Sequence, residues 1–136
     1  MTEPHANASR AHVAHFNAVA DTWEEDPGRT DIARAVAGAI LDDVPLSGTE
    51  RAMEFGCGTG LVTALVAPSV GRVLALDSSA GMLEVLRRKL RELGITNVEP
   101  MEADLAQRMP AGPFDPVFCR MAPHPHDPAR GPIARV

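Results

Sequence analysis

The stretch Glu54-Phe55-Gly56-Cys57-Gly58-Thr59-Gly60 constrains this chain more than any other. Three glycines at alternating positions follow a short apolar strand and lead into a helical pattern. Glycine tolerates the φ values such a turn demands and lets main chain approach a bound ligand where a side chain would block it. Seventeen residues beyond Gly60, a second apolar run, Val73-Leu74-Ala75-Leu76, ends in Asp77. A strand, a glycine turn, a helix, a strand and a terminal acid together make the geometry of a nucleoside-binding cleft.

Bulk composition narrows the classes. The chain has 136 residues, 45% of them hydrophobic and 23% charged, which suits one globular domain with a real core. A net charge of −5 argues against broad attraction to nucleic acid or anionic lipid. The basic cluster Arg87-Arg88-Lys89-Arg91 lies in a helical pattern and reads as a solvated helix face. Two cysteines at unrelated spacing form neither a disulfide framework nor a zinc site, and no metal is expected. With no apolar leader and no run near about 18 apolar residues, the expectation is a soluble, cytoplasmic chain that engages no membrane.

Residues 1–9 read as disordered, and residues 10–25 as a weak helix with Phe16, Val19 and Trp23 on one side. Pro27-Gly28 is expected to stop it. Thr30 or Asp31 can cap a second helix carrying the stripe Ile32, Val36 and Ile40, closed by Pro45 and Gly48. Strands are expected over 51–55, 72–76, 97–103 and 114–118, with helices over 59–67 and from a Ser78 or Ser79 cap to Gly94. Leu83, Leu86, Leu90 and Leu93 mark the buried stripe of the latter. Pro100 cannot donate to a ladder, which places the third strand at a sheet edge. Alternating strands and helices with right-handed crossovers give a doubly wound parallel α/β sheet, whose ligands bind beyond the carboxyl ends of the strands.

A dinucleotide site would want G-x-G-x-x-G. Counted from Gly56 and Gly58, the third position is Leu61, and no P-loop lysine is present. From about Met53 to Val136 the chain instead resembles the class I S-adenosylmethionine-dependent methyltransferases, in particular the small-molecule branch of ubiquinone and menaquinone biosynthesis. Glu54–Gly60 is similar to the family's glycine-rich motif, VLALDSSAGML (73–83) to its second-strand segment, and NVEPMEADL (97–105) to its third. FDPVFCRMAPHPHDP (114–128) resembles the fourth-strand segment in degraded form, and the stretch with Phe16 and Trp23 resembles the variable helical lid.

The resemblance implies a Rossmann-like sheet of strand order 3-2-1-4, a lid within residues 1–29 and an S-adenosylmethionine-binding domain over 30–136. It implies that Glu54 attracts the cofactor's ammonium, directly or through water. The helix opening near Thr59 would suit the carboxylate. Asp77, followed by Ser78, would accept from the ribose hydroxyls. Asp104, with Leu105 beside it, would accept from the adenine amino group, and Met82 and Ala103 would touch the ring. The methionine side would lie near Cys119 and Arg120. Taken singly, Asp77 could equally be a helix N-cap and Asp104 a surface acid; their order and shared position at strand ends carry the site. Cys57 reads as a small filler, since no base is placed beside it. Phe16 and Trp23 read as packing the lid. Among the histidines at 12, 15, 124 and 126, only His124 is a candidate base or acceptor contact.

Relative to the family, the chain stops at Ile133-Ala134-Arg135-Val136, before the expected fifth strand. Prolines at 116, 123, 125, 128 and 132 crowd that end. The expectation is a C-terminally truncated domain whose fourth strand becomes an edge and invites homo-oligomerisation. The function implied is methyl transfer from S-adenosylmethionine to a small-molecule acceptor. The alternative is a non-catalytic truncated S-adenosylmethionine or nucleoside-binding module, with a dinucleotide oxidoreductase a distant third.

Overall fold

A computed structural model of the chain describes the backbone of residues 4–103 and 117–119 and the side chains of residues 10–103. Three strands form a parallel sheet: the mostly buried β1 (Arg51–Phe55) and β2 (Arg72–Asp77), and the more exposed β3 (Val98–Glu102). A three-residue strand, β4 (Val117–Cys119), pairs with the other side of β1 and gives the order β3-β2-β1-β4. Pro100 does fall in a terminal strand of that order. The register sets Phe55 opposite Leu76 and Asp77 opposite Glu102, so the strand ends that carry the glycine turn and Asp77 emerge along one edge.

Side chains alternate across the sheet. Ala52, Val73 and Ala75 face the helices α2 (Pro27–Asp43), α3 (Leu61–Val66) and α4 (Ala80–Leu93), whereas Met53, Phe55, Leu74 and Leu76 form a second cluster on the opposite face with Ala103. Right-handed crossovers in the sequence β1-β2-β3 put both connecting helices on one face, which is why α3 and α4 share a cluster. Leu83, Leu86 and Leu90 of α4 are buried there, each worth about 1.5–3 kcal/mol relative to exposure, and Met82 of the same helix is buried too. Ser79 caps α4 by accepting from the Met82 N–H, and Gly94 ends it in the left-handed conformation at φ +67°.

The structure corrects several expectations. Helix α1 spans Pro4–Val19, so residues from 4 onward are helical where the sequence reading has disorder. Proline at the first turn has its φ preset for a helix, and the alanines that follow are the best helix formers. Residues Ala20–Glu25 then tighten into a 3-10 segment. Pro27 starts α2 instead of stopping α1, and the cap is Asp26, whose carboxylate accepts from the Gly28 N–H at 2.9 Å; neither Thr30 nor Asp31 is used. Proline at the first helical position gives up an N–H that would have no partner there anyway. The buried stripe of α2 is Ala33, Val36, Ala37 and Ile40, while Ile32 is 50% exposed. Leu93, at the frayed end of α4, is likewise exposed. Helix α3 begins at Leu61 instead of Thr59 because Gly60, at φ +83°, lies outside helical φ/ψ space.

The basic cluster of α4 is also more than a solvated face. Lys89 pairs with Glu24 and is only 15% exposed, and Arg88 lies 3.4 Å from Asp21, so two of the four cations hold the 3-10 segment against α4. Trp23 of that segment meets Phe16 edge-to-face at 5.6 Å and lies under the Arg29 guanidinium at 3.6 Å. The two aromatic rings thus pack on each other.

Candidate functional site

The turn between β1 and α3 is shaped from outside itself. Gly56, Gly58 and Gly60 take φ values of +65°, +57° and +83°, a region that disfavours any residue with a Cβ. The Cys57 N–H donates to the Leu76 carbonyl at 3.0 Å, and the Gly58 N–H donates to Asp77 Oδ2 at 2.8 Å. The Gly60 N–H closes back on the Cys57 carbonyl at 3.0 Å. A Cβ on Gly60 would stand 2.3 Å from Leu86 Cδ1, so this glycine is also where α4 packs against the turn. The N–H groups at 57, 58 and 60 are therefore used within the protein.

Asp77 is the hinge of the site. Its Oδ1 accepts from the Ser79 N–H at 2.8 Å while Oδ2 holds Gly58, tying the β2 end to both the turn and α4. A carboxylate offers about four lone-pair positions, so two remain for hydroxyl donors. The N-cap role open to Asp77 on sequence alone falls instead to Ser79, whose side chain accepts from the Met82 N–H.

Glu54 sits elsewhere than a simple ligand-facing acid. It is 1% exposed, on the helix-facing side of β1, and its Oε2 accepts from Thr63 Oγ1 of α3. Thr63 was not legible as a site residue, having no local signal beyond its place on a helix. Thr59 is buried within the turn, and its Oγ1 has no partner among the described residues. Cys57 is buried, and burial, reinforced by the negative charges of Glu54 and Asp77, pushes its thiol pKa well above the ordinary value. It stays protonated at neutral pH and is a filler, as its position in the turn suggests.

Met82 lies beneath the turn, its Sδ 4.0 Å from where a Gly58 Cβ would be. Ala103 is half-buried at the end of β3, its N–H donating to the Asp77 carbonyl at 3.0 Å. Between these strand ends and α1 lies a cavity of about 620 Å³, lined by Arg10, Val13, Ala14 and Asn17 on one side and Ser78, Glu102 and Ala103 on the other. That volume is in the range of small-molecule sites. Another cleft, of about 420 Å³ beside Arg87 and Arg91, opens at the far end of α4 near the start of β3, away from the turn. Asp104, Leu105, Arg120 and His124 lie outside the described residues; Cys119 is placed as the last residue of β4, opposite Phe55, with its side chain outside them. The prolines at 116, 123, 125, 128 and 132 lie outside them too. Among the described residues no cluster of metal-ligating side chains occurs and no helix is long and apolar enough to cross a membrane.

The residues present fit an S-adenosyl cofactor: a backbone turn open to close approach, a half-used carboxylate beside it, an orphaned buried hydroxyl within it, and the apolar Ala103 at the end of β3. Comparison with known proteins points the same way. Residues 52–135 match the family model described as "Methyltransferase domain". The chain is 31% identical over 137 residues to the protein-L-isoaspartate O-methyltransferase of Anaeromyxobacter dehalogenans, covering 95% of this chain and 66% of that protein. It is 36% identical over 101 residues to the trans-aconitate 2-methyltransferase of Azoarcus sp., covering 71% and 38%. Among solved structures, the DhpI–SAM–HEP complex superposes with a TM-score of 0.67 at 26% identity, covering 88% of this chain and 53% of that one. The chain thus spans between about a third and two thirds of the curated relatives it matches. With the motif, the sheet and the match over most of its length agreeing, the chain belongs to the class I S-adenosylmethionine-dependent methyltransferase family.

Proposed function

We propose that this chain binds S-adenosylmethionine at the β1–α3 turn and transfers its methyl group directly to a small-molecule acceptor, in the manner of the small-molecule branch. The observation that carries this reading is the Asp77 carboxylate, fixed by Gly58 and Ser79 at the end of β2, where the next residue, Ser78, lines a cavity of small-molecule size. Asp77 accepts from the ribose hydroxyls with its remaining lone pairs, and Ser78 flanks them. Met82 and Ala103 give apolar contact to the adenine, with Asp104 accepting from its amino group and Leu105 adjoining. Gly56, Cys57, Gly58, Thr59 and Gly60 supply close main-chain contact along the ligand. Glu54, buried and held by Thr63, acts on the ammonium through water or through its field, and Cys119 lies on the methionine side.

The bound cofactor supplies a sulfonium carbon already activated for displacement. The acceptor's lone pair forms the new bond to that carbon as the carbon–sulfur bond breaks. The electron pair of the broken bond would stay on sulfur, and the acceptor's proton would leave to solvent or to a base such as His124. What the protein contributes is alignment and exclusion of water, with α1 and the 3-10 segment forming a lid over the cleft; orientation of this kind supplies up to about 7–11 kcal/mol. Pairing of two chains through β4, a terminal strand of the described sheet, belongs to the same proposal and is read by sedimentation.

Calorimetric titration with S-adenosylmethionine, S-adenosylhomocysteine and NAD tests it. Binding of the first two, with methyl transfer to a panel of phenol, amine and carboxylate acceptors, is expected. Binding without turnover on any acceptor would favour a cofactor-binding module, and tighter NAD binding would overturn both readings.

A further inference from the structure

We infer that Asn17 is a positioning residue that seats the N-terminal helix over the cofactor cleft, an inference that rests on the cofactor reading above. Asn17 Oδ1 accepts from Ser79 Oγ at 2.6 Å and from the Gly81 N–H at 2.8 Å, across more than sixty residues of sequence. Both donors belong to the first turn of α4, the element whose cap also touches Asp77. Ser79 uses its hydroxyl twice, accepting from Met82 N–H and donating to Asn17, while its own N–H donates to Asp77. Asp77 in turn holds Gly58. A continuous hydrogen-bonded path therefore runs from α1 through Ser79 and Asp77 to the glycine turn.

The approach of α1 is tight and specific. A Cβ on Gly81 would stand 2.9 Å from Asn17 Cα, so a glycine is what lets the two helices meet at this point. Asn17 also lines the cavity opposite Ser78 and Ala103, on the side where α1 closes it. The ion pairs of the 3-10 segment hold α1's distal end to α4 but lie further along that helix, at Arg88 and Lys89. Asn17 is the polar contact of α1 nearest the ligand residues, and it addresses the same turn that they organise. Binding at Asp77 and docking of α1 thus stabilise one another.

The test uses S-adenosylhomocysteine, a cofactor form that does not turn over, with the full chain. Trypsin cleavage after Arg10 reports undocking of α1, since a helical peptide must open to be cut. In the wild-type chain, saturating S-adenosylhomocysteine is expected to slow that cleavage at least about fivefold, with Asn17→Ala abolishing the protection. Asn17→Ala is also expected to weaken S-adenosylhomocysteine about tenfold through faster dissociation, the effect of two hydrogen bonds of ordinary strength. Asn17→Asp, which keeps oxygen acceptors at a helix N-terminus, should restore affinity to within about threefold. A merely structural asparagine would lower the thermal midpoint of both variants and leave ligand-dependent protection intact. The inference is overturned if Asn17→Ala binds the ligand as tightly as wild type, or if ligand binding leaves Arg10 cleavage unchanged in the wild-type chain. That second comparison needs no variant and decides the matter should Asn17→Ala fail to fold. If the wild-type chain binds no S-adenosylhomocysteine, the cofactor reading itself falls, and this inference with it.

Discussion

Replacing Gly60 with alanine separates two forces that shape the turn. The first is backbone conformation: at φ +83° an alanine costs about 1–2 kcal/mol relative to glycine. The second is contact, because the new Cβ would lie 2.3 Å from Leu86 Cδ1 and 3.5 Å from its Cγ. Leu86 is fully buried, so its rotation away from the new methyl disturbs the cluster it shares with Leu83 and Leu90, at about 1–3 kcal/mol. The sum, about 2–5 kcal/mol, is a large part of the stability of an ordinary domain. Urea unfolding followed by circular dichroism should show the midpoint falling accordingly. The contact part is isolated by repeating the substitution in a Leu86→Ala background. Leu86→Ala alone leaves a cavity and costs about 2–5 kcal/mol, but there the alanine at 60 has space, and its added cost should shrink to the backbone part of about 1–2 kcal/mol. Equal costs of Gly60→Ala in the two backgrounds would refute the packing argument, and a cost under about 0.5 kcal/mol in the wild-type background would refute both.

Asp77→Asn presents a single acceptor oxygen, so either the Gly58 or the Ser79 N–H loses its partner. A loss of about 1–3 kcal/mol in urea unfolding is expected, with S-adenosylhomocysteine affinity down by more than about tenfold in calorimetry. Glu50 accepts from the Ser47 N–H, the Ser47 hydroxyl and the Gly48 N–H, and the first of these leads in lowering its pKa from 4.5 to about 2. Its contribution is therefore full above about pH 4.5 and fades as pH falls toward 2, so the stability gap between wild type and Glu50→Gln should narrow across that window in acid titrations. Lys89→Met removes the partly buried pair with Glu24; unfolding should show a cost of about 1 kcal/mol, smaller in 1 M NaCl, and equal costs at both salt concentrations would exclude the ionic explanation.

What could be read from the sequence was whatever is contained within one element. The strands 51–55 and 72–76 are visible as short runs buried on both faces, and the stripe Leu83, Leu86 and Leu90 with the Gly94 stop is visible because burial on one helix face imposes a period of three to four residues. What could not be read depends on partners distant in the chain. Asn17 carries no mark of its bond to Ser79, and the cations at 88 and 89 read as solvated because their acids lie more than sixty positions away. Thr63 is an ordinary helical threonine until β1 brings Glu54 beneath it. Pro27 reads in the sequence only as a stop, for a different reason: proline ends one helix and begins the next with equal ease, and the Asp26 cap is what makes it a start. At the site, the turn and Asp77 were legible as residue types at the ends of strands, while the burial of Glu54 was not.

That last difference follows from alternation along β1. Ala52 faces α2–α4, so Glu54, two residues on, must face the same way, toward α3 and away from Met53 and Phe55. An acid at that position is committed to the helix layer before any ligand arrives, and Thr63 gives one of its two oxygens a donor there. Asp77 ends its strand one residue beyond the matching position, Leu76 standing opposite Phe55, and so reaches out of the sheet to the turn. The two carboxylates that look alike in sequence therefore differ by position along their strands: Glu54 is held inside the helix layer, and Asp77 stands at the rim, where it fixes the conformation of Gly58. Because the turn takes its constraints from Leu76, Asp77 and Leu86 and few from itself, the cleft exists only when β1, α3, β2 and α4 are assembled. A ligand bound there, as proposed, would meet a surface whose ordering cost has already been met by folding.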